Sequence, residues 1–272
     1  IHTAEFCNGQ YSDSVSALYP DEFDDICAVT RGFHSCDYYG MGMMPAGQAT
    51  VGFLWKYWHA LPYTGQGAQH AAVYGTSDIA LVYQPERGGK WFHMPGRELF
   101  IDREALPWTT GWINSASNAI EVGNEQRLYF SGRTFPHGYG RDTDCKITAD
   151  KAGVFKESGI TYASWPRDRL FGFESMPEAS LIIQLGKIET PIEVFLNYEI
   201  FRPDGFIRAE GEGVGIEKLP LDQSLPLTGN KIRQKISWQT GSTIPPTSAA
   251  GLKLHMRFAR IYAYEICPPS GK

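Results

Sequence analysis

The chain carries 272 residues with a formal net charge of -5, 42% hydrophobic and 13% aromatic residues, 29 glycines and 17 prolines. That length accommodates one large or two ordinary domains, and aromatic residues punctuated by glycine and proline favour strands and turns. An acidic balance without a basic run gives nucleic acid no footing, and no apolar stretch reaches the ~18 residues of a membrane span.

Residues 1–36 show little periodicity. Asp21, Glu22, Asp24 and Asp25 surround Phe23. The cluster fits a solvated loop or a site for a structural cation such as calcium; no other cofactor is implied. The chain opens abruptly at Ile1, as a processed chain would.

From Asp37 the pattern firms. Asp37–Met44 interleaves apolar with small residues, which suits an inner strand. Val51–Trp58 is a continuous apolar run, fit for a strand buried on both faces. Asp78–Tyr83 is a buried strand, followed by a turn through Pro85–Gly89 and a short aromatic strand at Trp91–His93. A second unit repeats this order. Trp112–Val122 is its inner strand, Arg127–Gly132 matches the Val51 run, and Gly159–Ser164 with Leu170–Phe173 completes it. Both units carry their extra length between the second and third strands, as a repeat predicts.

After Met176-Pro177 the character changes to strands with clear alternation, in Ser180–Leu185, Ile192–Phe201, Gly205–Glu210, Lys231–Trp238 and Leu252–Ile266, strict over Leu252–Phe258. One wet and one buried face imply an antiparallel sandwich. No helix of ordinary length is expected.

Five cysteines lack CxxC spacing, which argues against zinc. Cys27 with Cys36 could close a short loop and Cys7 with Cys145 a longer one, leaving Cys267 for a free thiol or an interchain bridge; five reduced thiols are the alternative. Disulfides would place the chain outside the cell or in a secretory or lysosomal lumen.

Three stretches resemble the C-terminal part of five-bladed β-propeller glycoside hydrolases of the fructosidase and arabinanase type. They are the blade pattern at Asp78–Trp91, the passage Ile160–Phe173 containing Trp165-Pro166-Arg167-Asp168, and the tail formed by Gly205–Glu210, Trp238 and Gly251–Tyr264. The resemblance implies an all-β fold, with about two propeller blades over residues 1–175 and a β-sandwich over 176–272. It implies that the catalytic carboxylates lie in blades carried by a second polypeptide. Near the last blade, where family members tend to have an acid, this chain has Thr109.

A propeller binds its ligand at one mouth of the channel. Candidate contacts there are Asp37, Tyr38 and His59 from the first unit, and Trp112, Asn114, Arg133 and His137 from the second. Asp37 is the one weak candidate for acid–base work. Trp112 could stack on a sugar ring, and Arg133 could fork a carboxylate or sulfate. Each has a plain alternative: a capping aspartate, a core tryptophan, an internal ion pair, an exposed loop histidine. The expected function is that of a chain of a glycoside-hydrolase-like protein, or of a non-catalytic carbohydrate-binding or structural descendant.

Overall fold

A computed structural model describes residues 17–60, 74–138, 157–213 and 219–269, and the backbone of four two-residue strands among the first sixteen. Those four, β1 (His2–Thr3), β2 (Phe6–Cys7), β3 (Gln10–Tyr11) and β4 (Val15–Ser16), pair as β1–β4 and β2–β3. The described fold is all-β apart from one helix and short 3-10 turns, and its sheets are antiparallel and open.

The helix, α1 (Glu22–Thr30), occupies the acidic stretch that the sequence suggests is a loop or cation site. Asp21 caps it, accepting from the Phe23 and Asp24 amides at 3.1 and 3.4 Å, while Asp24 accepts from the Asp21 amide at 3.3 Å. This reciprocal box satisfies donors that a helix start leaves open, and acidic residues suit its positive end. Gly32, at φ 82°, ends the turn in the left-handed region that glycine adopts without strain.

The first sheet is a meander. β5 (Ser35–Ala46) pairs with β6 (Ala49–His59), β6 with β7 (Gly75–Gln84), and β7 with both β8 (Phe92–His93) and β9 (Leu99–Ile101). β6 is buried on both faces, as its apolar run predicts. Alternation sends Leu54, Lys56 and Trp58 to one face. There Trp58 packs with Ala28 and Cys36, and Leu54 with Leu18, Val82 and Trp91.

That face also carries two buried polar networks. Asp24 meets Lys56 Nζ at 2.7 Å, with both side chains almost wholly buried, and accepts from Tyr38 Oη at 2.5 Å and Arg97 at 2.9 Å. Asp78 accepts from Trp58 Nε1, and from the Arg103 amide and guanidinium, at 2.5–2.6 Å.

These carboxylates set an acid limb to stability. Hydrogen bonding to Arg97 holds Asp21 down at about 2. Burial opposes ionisation of Asp24, but Lys56 and Tyr38 outweigh it and hold the carboxyl below its usual range. The stability from both is present above the ordinary aspartate value of about 3.9 and is lost as pH falls through the folded values. Burial pushes Asp78 upward, against the pull of Arg103, so its protonation offsets part of the loss. The urea midpoint should fall between about pH 4 and pH 2, and Asp21→Asn, which keeps a good cap, should flatten the fall. An unchanged slope in that variant would remove the Asp21–Arg97 pair as its source.

The second sheet centres on β12 (Glu125–Arg133), flanked by β10 (Trp112–Ser115), β11 (Ile120–Val122) and β13 (Ser158–Pro166). The expected continuous strand over Trp112–Val122 is interrupted because Ser117 turns its carbonyl to the Met43 amide, at 2.8 Å. Leu170–Phe173 does not join this sheet. Only β14 (Phe173–Glu174) is a strand, and it pairs with Ile261 and Arg260.

The remaining strands form two sheets. One runs β14, β20 (Ala259–Cys267), β16 (Glu193–Ile200), β18 (Asn230–Lys235); the other runs β15 (Glu178–Ile188), β19 (Thr247–Arg257), β17 (Phe206–Gly213). Both contribute to one core around Trp238, with Leu196, Tyr198, Ile207, Leu252 and Leu254. Trp238 Nε1 donates to the Ala209 carbonyl at 3.1 Å, so the indole's one polar atom is satisfied inside that core. The chain divides into two compact units, Ile1–Ile120 with Arg127–Ser164, and Glu121–Gln126 with Trp165–Lys272.

Cys27 and Cys36 are free thiols, which corrects the short-loop disulfide. Cys36 is buried beside Ala28 and Trp58, its Sγ 3.6 Å from the Asp37 carbonyl, while Cys27 is partly exposed on α1. The Cys7 side chain and Cys145 lie outside the described residues. Among the described residues no helix is long and apolar enough to cross a membrane.

Candidate functional site

The other face of β6 carries Trp55, Tyr57 and His59, and here most of the sequence candidates meet. Asp37 lies opposite Tyr57 on β5. Between Tyr38 and Gly40 the β5–β6 register shifts by one, so Tyr39 is an extra residue. Such a bulge re-aims a side chain, and the Tyr39 ring lies among Tyr57, Trp112 and His137. β10 and β12 add Trp112 opposite Arg133, and the chain beyond β12 adds Phe135 and His137.

Two glycines permit this closeness. The His137 amide donates to the Gly75 carbonyl at 2.9 Å, and a Cβ on Gly75 would stand 2.6 Å from the Tyr57 ring and 2.4 Å from the Trp58 carbonyl oxygen. The Gly111 amide donates to the Arg133 carbonyl at 2.9 Å, and a Cβ there would lie 2.3 Å from the Phe135 backbone.

The cluster is built around His137. Its Nε2 is 3.2 Å from Tyr39 Oη and its Nδ1 3.5 Å from Tyr57 Oη, with Trp112 at 5.1 Å between ring centres. His59 Nε2 meets Asp37 Oδ2 at 2.8 Å, and its ring stands edge-on to Tyr57 at 4.6 Å. Burial pushes the Tyr57 hydroxyl well above its usual value, so it remains a neutral donor. The Arg133 guanidinium lies 5.4 Å from the Trp112 ring centre and 4.9 Å from that of Phe135.

Exposure separates supports from contacts. Tyr57, His59 and Trp112 are 2%, 3% and 6% exposed, whereas Tyr39 is 53% exposed. Trp112 is therefore a supporting ring and not an open stacking platform. Its Nε1 donates to Asn114 Oδ1 at 3.1 Å, which also accepts from Ser131 at 3.0 Å, so Asn114 orients the tryptophan. Tyr39, with Asp37 beside it, is the surface a ligand would meet.

Tyr38 is not part of this cluster. It faces the opposite side of the sheet, where its hydroxyl serves Asp24 and lies 3.0 Å from His93. Sequence reasoning missed Tyr39, Tyr57 and Phe135. The double tyrosine at 38–39 was the available signal, but only the bulge decides which one turns inward. Thr109 is buried and donates to the carbonyls of Arg103 and Leu106, at 2.5 and 2.9 Å, locking a turn. Among the described residues no group of three His, Cys, Asp or Glu side chains is placed to hold a metal ion.

The second unit has an open concavity of about 420 Å³ lined by Arg167, Asp168, Asn197, Arg233 and Tyr264 among others. Its polar groups are engaged with neighbours: Arg233 pairs with Glu265 at 2.7 Å, and Asn197 Nδ2 donates to the Arg167 carbonyl at 2.8 Å.

No family model and no curated protein matches the chain.

Proposed function

We propose that the chain is the carbohydrate-contacting part of a glycoside-hydrolase-like protein, with Tyr39, Asp37, His137 and Arg133 as its saccharide contacts. The observation that carries this reading is the convergence of an exposed tyrosine ring, a carboxylate, an imidazole and a guanidinium over a buried aromatic floor. An aromatic face takes the apolar side of a sugar ring, and a few fixed polar groups orient its hydroxyls.

The architecture fits the partial propeller and β-sandwich that the resemblance implies. A meander of antiparallel strands is what a blade needs. β13 pairs only with β12 among the described strands and leaves Ile160 77% exposed, an edge that a further strand would cover. The two sheets around Trp238 fit a sandwich.

Acid–base cleavage of a glycoside uses two carboxyl groups across the scissile bond. Among the described residues the cluster has only Asp37, already hydrogen-bonded to His59. On this reading the catalytic pair is carried by a second polypeptide that completes the propeller, as the resemblance implies. The buried, doubly bonded Thr109 favours a second reading, a binding protein without catalysis.

A glycan array run beside an aryl-glycoside hydrolysis assay tests the saccharide contact and the absence of a catalytic pair from this chain. Binding without hydrolysis by the isolated chain is expected. Tyr39→Ala should lower binding roughly tenfold, as loss of an anchoring aromatic does, and leave the melting temperature within a few degrees, since the ring is half exposed. Hydrolysis by this chain alone would refute an external catalytic pair. Absence of binding to any glycan would refute the saccharide reading.

A further inference from the structure

We infer that the saccharide recognised at this cluster is anionic, and that Arg133 holds its carboxylate or sulfate oxygens. The inference rests on the saccharide reading above and adds the charge of the ligand.

Three other guanidinium groups of the first unit have carboxylate partners. Arg103 pairs with Asp78, Arg97 with Asp21 and Asp24, and Arg31 with Asp102. Arg133 is half-buried and has no carboxylate partner among the described residues. Its Nε is buried without a hydrogen-bond partner. The carboxylate of the cluster, Asp37, is paired with His59 at 2.8 Å.

The surroundings explain why this matters. Trp112 and Phe135 take up space around the group that water would otherwise fill, and burial lowers the stability of its charged form. A charged donor left unsatisfied in such a place is unfavourable in the free protein and is relieved when an oxyanion arrives. The planar guanidinium suits two oxygens of one carboxylate or sulfate, whereas a neutral sugar hydroxyl offers only one acceptor atom. Tyr39 and His137 stand next to Arg133's stacking partner Trp112, where they can meet the hydroxyls of the same sugar.

The test is calorimetric titration of the 272-residue chain with three probes: oligogalacturonate, its methyl ester, and a sulfated galactan oligosaccharide. Esterification removes the charge and keeps the sugar. The parent protein should bind the acid at least about tenfold tighter than the ester, the size of a charge-assisted hydrogen-bonded contact. Arg133→Met should erase that difference by weakening binding of the acid at least about tenfold more than binding of the ester. Arg133→Lys should keep part of it, having charge without the fork. An Arg133-dependent preference for the sulfated probe instead identifies the oxyanion as sulfate and supports the inference. Equal binding of acid and ester by the parent overturns the inference and leaves the saccharide reading standing, a comparison that needs no variant to fold. If no probe binds and the array shows no glycan hit, both fall together.

Discussion

Asp24→Leu should destabilise the chain by about 3–5 kcal/mol, the usual consequence of stranding one member of a buried ion pair. Asp24 and Lys56 are both almost wholly buried and 2.7 Å apart. Lys56 otherwise faces the Trp58 ring, at 5.3 Å from its centre. Removing the carboxylate leaves an ammonium group with no water and no counter-charge, and it deprives Tyr38 and Arg97 of a shared acceptor. The helix start loses its reciprocal hydrogen bond as well. The decisive comparison is the double variant. Adding Lys56→Met removes the stranded charge, and replacing both members of a buried pair by apolar groups is often close to neutral. Urea midpoints should therefore fall steeply in the single variant and recover substantially in the double. If Asp24→Leu moves the midpoint no more than a surface substitution does, the pair does not hold α1 against β6.

Gly111→Ala should separate binding from folding. The added methyl would stand 2.3 Å from the Phe135 carbonyl carbon and 2.6 Å from its nitrogen, and neither can yield as a flexible side chain would. Overpacking of this kind costs about 1–3 kcal/mol. Its functional effect should be larger than that figure implies. Phe135 lies beside Arg133, and His137 follows two residues on, so a displaced backbone moves both contacts at once. Glycan binding should be lost at temperatures where circular dichroism still reports a folded protein. Retained binding would show that the 135–137 segment does not position the ligand.

Much of the fold was legible because strand signals are local. The apolar run at Val51–Trp58 implied burial on both faces, and β6 has it. The alternation of Leu252–Phe258 marked β19, but the single strand expected over Leu252–Ile266 divides at Phe258 into β19 and β20, which lie in different sheets. The helix was missed although Asp21 and Asp24 stand three apart, the spacing of a capping box; four acids around one phenylalanine look like a solvated loop unless that spacing is weighed. Among the site candidates, Asp37, His59, Trp112, Asn114, Arg133 and His137 came together. Tyr38 did not, because period-two counting fails wherever a bulge inserts a residue, and nothing in Asp37-Tyr38-Tyr39-Gly40 announces the bulge. For Trp112 the sequence left a sugar-stacking ring and a core ring equally open. A tryptophan's type does not say how much of it is covered, and here Arg133, His137 and Tyr39 cover it.

The two-sided burial of β6 has a consequence for how this molecule can diverge. Nearly every β6 side chain is fixed from one side by the ion-pair network or from the other by the aromatic floor, so the strand has little room to drift. Asp37 and Tyr39, on the neighbouring strand, are exposed and sit over that fixed floor. If the saccharide reading holds, changes there would re-tune the ligand while the scaffold keeps its shape, which makes β5 the adaptable edge of an otherwise conservative design.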